Sequence, residues 1–549
     1  MATLLQSIFR MWFDRSGQVC GRKMRQTPDR ERSPCWASWG IVGLLLLVTR
    51  TMPVTAQVDT SAPPDVAEVE SGAQATTAPP ASRTTWEVIQ MGGGKVGFSH
   101  TTRREIREGT RPVHELSSTS EITLQRFGEE ANQQLQVMSV EQPDGRLLRF
   151  TSEIRGGTSS VQTQGRVHGD TLFIETTTQG KRSQTELPWR ETDRSFFAVE
   201  QSLWQHMMQP GERRQLRMLL PVFYQMVEVD LIAGEDEDVE LLDGPRRLLR
   251  VTNRTTLAAN QLLETIMWVD RAGEIWKTRL PAIGQETYRT TEAIAKNSPL
   301  QTSYDLGQHS LVRLARPLTS PHTARQITYD VELRDGDPAS QFVDDLSQSV
   351  RWSEPHHIQL TVRAVRPDQP PAEAPPGQRF APDDLASNNL VQSDDPRVRS
   401  MAAQVMPEES NPWPLAVALE NHVHHAIRKK DFSQAMATAA EVAESLQGDC
   451  TEHAVLLAAL CRARGIPARA AIGLVYFAPE QGFAYHMWNE VWIKDRWIPL
   501  DATLGLGGIG AGHLKLAVSN LGGAAAYGAF LPVFQVLGRL KISVVDTGE

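Results

Sequence analysis

Along residues 86–291 apolar and polar positions alternate with a period near two, in runs such as 121–126, 146–150, 227–232 and 247–252. The runs are interrupted by Pro143-Asp144-Gly145, Asp243-Gly244-Pro245 and Asp270-Arg271-Ala272-Gly273, residue types that supply the dihedrals tight turns need. Short alternating runs between such turns predict an antiparallel sheet curled into a half-barrel or sandwich. A smaller strand-like stretch from 303 to 365, with runs at 325–333 and 357–365, either completes that sheet or forms its own unit. Beyond it, residues 367–384 carry Pro367, Pro370, Pro371, Pro375 and Pro376, the composition of a linker. The period then changes. Segments 396–404, 413–430 and 432–446 space Ala, Leu, Val and Met as helices do.

This pattern predicts an α+β chain divided into 57–84 (a low-complexity tether), 85–298 (β-rich), 299–366 (a second β-rich segment), 367–384 (linker) and 385–549. Residues 1–56 stand apart. Arg10, Arg15, Arg22, Lys23, Arg25, Arg30 and Arg32 precede an apolar run over 36–48, followed by Val54-Thr55-Ala56. Basic, apolar and small-residue segments in that order predict a cleaved secretory signal, with translation starting at Met1, Met11 or Met24. An uncleaved anchor is the alternative, which a run of about 13 apolar residues is too short to provide. Export places the protein in the periplasm or outside the cell, tethered to the membrane if the signal is retained.

Composition narrows the function classes. The chain has 56 Lys/Arg and 65 Asp/Glu, and residues 1–56 hold 8 and 3 of them, so 57–549 keeps 48 and 62 for a formal charge of −14. A net acidic surface excludes nucleic acid as a partner, because phosphate binding needs a basic face. Past residue 56 only Cys450 and Cys461 remain. They lie eleven residues apart on one expected helix, about 16 Å, too far for a disulfide. Two free thiols are expected.

The chemistry concentrates between Gly448 and Thr503. In Gly448-Asp449-Cys450-Thr451-Glu452-His453, Asp449 is a good N-cap and Glu452 completes a capping box. Gly465 and Pro467 end the helix. Cys450 therefore sits in a first helical turn, where unpaired N–H groups favour thiolate over thiol and can hold an oxyanion. Cys461, mid-helix among Leu and Ala, is core filler. In 484–493 strict alternation puts His486, Trp488, Glu490 and Trp492 on one strand face. If Lys494-Asp495 make the turn, Asp501 faces Trp488 and lies diagonal to His486. A one-residue slip would move it to the wrong face, and the turn lacks the glycine a tight hairpin prefers. Cys450, His486 and Asp501 then supply nucleophile, general base and orienter.

These residues, with Gly465-Ile466-Pro467-Ala468-Arg469, His486-Met487-Trp488-Asn489-Glu490-Val491 and Trp497-Ile498-Pro499-Leu500-Asp501, resemble the core of the transglutaminase-like superfamily over about 390–515. The resemblance implies a papain-like core in which a Cys-bearing helix packs on an antiparallel sheet. It also implies acyl-enzyme chemistry on peptide or isopeptide bonds of a protein or peptide substrate, resolved by water or by an amine. A non-catalytic binding or assembly module of the cell envelope is the alternative. No cofactor is expected from the residues. Some members of the family use calcium, which the resemblance alone brings in, without a site. Trp413 is the weak candidate for a second oxyanion donor, its other reading being a helix anchor. His422, His424 and His425 are read as a solvated helix end, His356-His357 as no site, and Glu235-Asp236-Glu237-Asp238 as a solvated loop without calcium-loop spacing. The uncharged part of 516–538 is read as buried packing, not as a membrane span.

Overall fold

The computed structural model of the protein describes residues 82–548, apart from 127–128, 157–158, 258–261, 301–304, 335, 369–378, 430–436 and 523–525. The expected leader, most of the tether and much of the proline-rich linker lie outside the described residues.

The alternating runs from Ser82 to Thr290 build one sheet of fifteen strands. Its first eight strands, Ser82–Met91 through Lys181–Pro188, follow one another as an antiparallel meander. A second meander ends in Gln285–Thr290, which pairs back onto the first strand from Trp86↔Thr290 to Met91↔Gln285. The edges are Lys181–Pro188 and the short Asp193–Arg194. They do not pair with each other, so the sheet is open and not a closed barrel. Alternation decides the faces: Leu116, Leu135, Phe150, Ile154, Leu172 and Ile174 are buried on one side, each contributing roughly 1.5–3 kcal/mol of apolar burial. The edge strand Lys181–Pro188 buries none of its residues. Its Lys, Arg and Glu protect an otherwise open hydrogen-bonding edge.

The acidic run at 235–238 is not a loop. It lies in the strand Gln225–Leu241 and begins within an irregularity in register between Ala233 and Asp236. Three of its four side chains are engaged by neighbours: Asp238 by Arg247, Asp236 by Arg271 and Glu237 by the Trp268 indole. Cross-strand pairing of this kind outweighs the low strand propensity of acidic residues.

The stretch from 299 to 366 contributes to two other sheets. Gln326–Leu333, Gln348–Glu354 and His357–Arg363 form a four-stranded sheet with the C-terminal strand Leu540–Asp546. Val312–Arg313 (β1) joins the sheet that carries the site. The other strands there are Ala468–Phe477 (β2), Gly482–Ile493 (β3), Arg496–Leu500 (β4) and His513–Ser519 (β5), in the order β1-β3-β2-β5 with β4 also on β3.

Helices that pack on this region include Pro396–Gln404 (α1), Pro412–Ala426 (α2), Ala439–Ser445 (α3) and Cys450–Ala463 (α4). Helix α2 stops four residues before the expected 430, because Ile427 turns extended. Helix α3 starts at a Thr438/Glu441 capping box, later than the periodicity implies; residues 432–436 of that expected helix lie outside the described residues. Every residue of α4 from Cys450 to Arg462 is buried, as befits a helix that is apolar nearly all round. It lies between the other helices and β2–β3, where Asn489 Nδ2 donates to the Ala454 carbonyl at 2.9 Å. Among the described residues no helix is long and apolar enough to cross a membrane.

Candidate active site

The start of α4 is built by three neighbouring residues. Gly448 has φ +141°, and a Cβ there would overlap Glu452, so the approach requires glycine. Asp449 accepts from Thr451 N at 2.8 Å, while Glu452 accepts from Asp449 N at 3.0 Å and from Ala437 N at 3.1 Å. Cys450 follows as the first helical residue, 4% exposed. Its own N–H has no intrahelical acceptor by position. Cys461 is completely buried in the core, and burial pushes its thiol up to about 12. Both thiols are unpaired.

His486 comes from the middle of β3, and the hairpin after it has the expected register: Ile493 pairs with Arg496 and Asn489 with Leu500. Lys494 and Asp495 take left-handed φ values of 51° and 57°, giving the turn type that normally recruits glycine. Asp501 therefore lies one step past β4 and faces the His486 side. His486 Nε2 donates to Asp501 Oδ2 at 2.8 Å, and the Cys450 side chain lies near enough to the same imidazole to act on its charge. With Nε2 engaged by the carboxylate, the ring nitrogen left for Cys450 is Nδ1.

Burial by itself would push His486 down. The Asp501 carboxylate and the Cys450 sulfur oppose that and prevail, lifting the imidazole to about 10. Asp501 would be raised by burial, but His486 and His513 hold it well below the ordinary carboxylate range. This is the electrostatics of an ion pair kept together away from water.

Sequence reasoning missed two participants. Glu420 of α2, fully buried, accepts from Asp501 N at 2.9 Å and from Gly507 N at 2.8 Å. Burial lifts its carboxyl to about 7 against those backbone donors. It was hidden because an acidic residue in an amphipathic helix ordinarily reads as surface. His513 donates Nε2–H to Asp501 Oδ2 at 3.0 Å. The glycine-rich segment before it gave no register from which to place it. His424, expected in a solvated helix end, hydrogen-bonds through Nδ1 to the Ala502 carbonyl at 3.0 Å, and Trp413 packs partly buried against the core.

The ligand atoms of His486, Asp501 and His513 lie within 4.8 Å of one another, close enough to hold a metal ion. Asp501 is hydrogen-bonded to both imidazoles, and we assign no metal.

Comparison with known proteins places this geometry in a class. Residues 399–502 match the sequence model of the transglutaminase-like superfamily, and the C-terminal region is transglutaminase-like. That match supports a cysteine-based hydrolase or transferase in general. Among solved structures, the chain is similar to a candidate cysteine protease from Cytophaga hutchinsonii (18% identity, 40% of this chain and 86% of that one, TM-score 0.24). It is also similar to the periplasmic domain of TgpA from Pseudomonas aeruginosa bound to ethylmercury (15% identity, 33% and 91%, TM-score 0.21). A third is a beta-barrel-like protein of a domain of unknown function from Brucella abortus (7% identity, 39% and 96%, TM-score 0.27). No curated protein matches the chain.

Proposed function

We propose that the protein is an exported cysteine hydrolase or acyl transferase acting on peptide or isopeptide bonds, with Cys450, His486 and Asp501 as its catalytic triad. The observation that carries this reading is the His486 imidazole, 2.8 Å from the Asp501 carboxylate and raised by the Cys450 sulfur as well as by that carboxylate. Cys450 sulfur attacks the amide carbonyl carbon, forming a C–S bond and an oxyanion that the first-turn N–H groups of α4 stabilise. His486 passes its proton to the leaving nitrogen as the C–N bond breaks, leaving a thioester. Water or an amine then attacks the thioester, His486 takes the proton, and the C–S bond breaks to return the sulfur as thiolate. Asp501 holds the imidazole in the tautomer and orientation both steps need. Export is supported by the basic, apolar and small-residue order of residues 10–56.

A thiol-reactive peptide electrophile tests the assignment. Cys450→Ala should abolish covalent labelling and Cys461→Ser should leave it intact. Equal labelling of the two variants would sink the assignment, and a ligand bound without any covalent adduct would favour a binding module. The mass of the secreted chain tests cleavage after Ala56.

A further inference from the structure

The loop that leads from Asp501 to β5 crosses one face of the site sheet. Ala471 and Gly473 of β2 pair with Trp488 and His486 of β3, so all four residues share that face. The two small residues leave the space the loop occupies, and Ile509 packs there on Ala471 and Trp488. On its other side Gly473 lies at a register irregularity with β5, where a Cβ would overlap the Leu514 carbonyl. Glycine there allows β5 to approach closely, which brings His513 across β2 to the carboxylate. Its ring centroid lies 5.9 Å from that of His486 and 5.1 Å from Trp488, edge-on to the latter.

Both carboxylate oxygens of Asp501 and its backbone N–H are thereby engaged. Oδ1 accepts from Thr503 N at 2.8 Å, Oδ2 accepts from His486 Nε2 and His513 Nε2, and the backbone N–H goes to Glu420. We propose that His513 is a positioning residue of the catalytic machinery: its Nε2–H holds the Asp501 oxygen that receives His486 and keeps it aimed at that imidazole. The inference rests on the triad reading above and extends it from three side chains to four.

Two further observations support it. His513 Nδ1 is buried with no hydrogen-bond partner, so the ring's polar contact is spent on Asp501. The groups around the ring keep it neutral, with burial the largest influence and the His486 charge acting in the same direction against Asp501. His322, 5.7 Å away edge-on, is itself pushed down to about 4 by burial. A neutral imidazole that donates to a carboxylate adds a hydrogen bond without neutralising the charge His486 needs.

The test uses the full chain and iodoacetamide alkylation of Cys450 from pH 5 to 9, with Cys450→Ala as the blank and His486→Ala beside it. His513→Phe keeps a flat ring and removes the donor; His513→Gln restores an N–H of similar reach. The expected result is alkylation about tenfold slower than wild type at pH 6 for His513→Phe, equivalent to about one pH unit, and within about threefold of wild type for His513→Gln. A His513→Phe profile identical to wild type, or a His513→Gln profile as poor as His513→Phe, would overturn the proposal while leaving the triad standing. A wild-type profile unchanged by His486→Ala would overturn both. Should His513→Phe not fold, 15N-histidine spectra of the wild type decide. Two hydrogen-bonded Nε2–H signals that both shift with Asp501→Asn support the proposal, and one such signal refutes it.

Discussion

Replacing Asp501 with Asn removes one charge from the triad and little volume. The imidazole stands at about 10, against an ordinary value of 6.5. At about 1.4 kcal/mol per pH unit, that is roughly 5 kcal/mol in favour of the charged ring, net of what burial costs it. Two neighbours supply the excess, and the carboxylate is the larger of them. Attributing half to Asp501 gives at least about 2 kcal/mol, or roughly 1.5 pH units in the midpoint at which the ring gives up its proton. The assay is the titration of His486 followed by 15N-histidine spectra from pH 6 to 11. Asp501→Asn should move the His486 midpoint down from about 10 by at least about 1.5 pH units. The same variant should change the pH dependence of stability. A histidine raised in the folded state contributes stability that is complete below its unfolded value of 6.5 and is lost as pH rises toward 10. The wild-type melting temperature should therefore carry a decline between pH 7 and 10 that is about half as large in the variant and ends at a lower pH. A His486 midpoint in Asp501→Asn within about half a pH unit of wild type would refute the reasoning, because the carboxylate would then not be what holds the charge on the ring.

Other consequences can be checked on the same protein. Glu141, fully buried and hydrogen-bonded by Ser139, Ser195 and Gln201, is lifted by burial to about 7. It takes up a proton on folding between its unfolded 4.5 and about 7, so its contribution is greatest at low pH and falls across that window. Glu141→Gln, with the Gln201 amide turned to accept, should flatten the decline by about 3 kcal/mol in urea unfolding at pH 5 and pH 8; equal slopes would count against it. Glu420→Ala leaves the Asp501 and Gly507 N–H groups without their acceptor. It should cost about 2–5 kcal/mol in urea unfolding; a loss under 1 kcal/mol would mean those groups find other partners. Gly473→Ala drives a methyl group into the Leu514 carbonyl, and should destabilise by about 1–3 kcal/mol while slowing Cys450 alkylation. An unchanged alkylation rate would show that β5 does not set the Asp501 geometry.

What the sequence determined by itself was local. The capping box around Cys450, the alternation that puts His486 on one strand face, and the pairing of Ile493 with Arg496 are short-range consequences of residue type and spacing. They were legible because a helix start and a hairpin are each decided within a few residues. The strandedness of residues 86–291 was legible for the same reason. The openness of that sheet was not, because closure depends on whether Lys181–Pro188 meets Asp193–Arg194, and neither edge encodes its partner. The acidic run likewise reads as loop until Arg247 and Arg271 are brought opposite it. At the site, only the tertiary structure could deliver Glu420 from α2 to the Asp501 backbone N–H and His513 from β5 to its carboxylate. Their places follow from how α2 packs and how a glycine-rich loop crosses the sheet over Ala471 and Gly473. A buried polar group is specified by the partners the fold brings to it, and those partners lie 81 and 12 residues away in the chain.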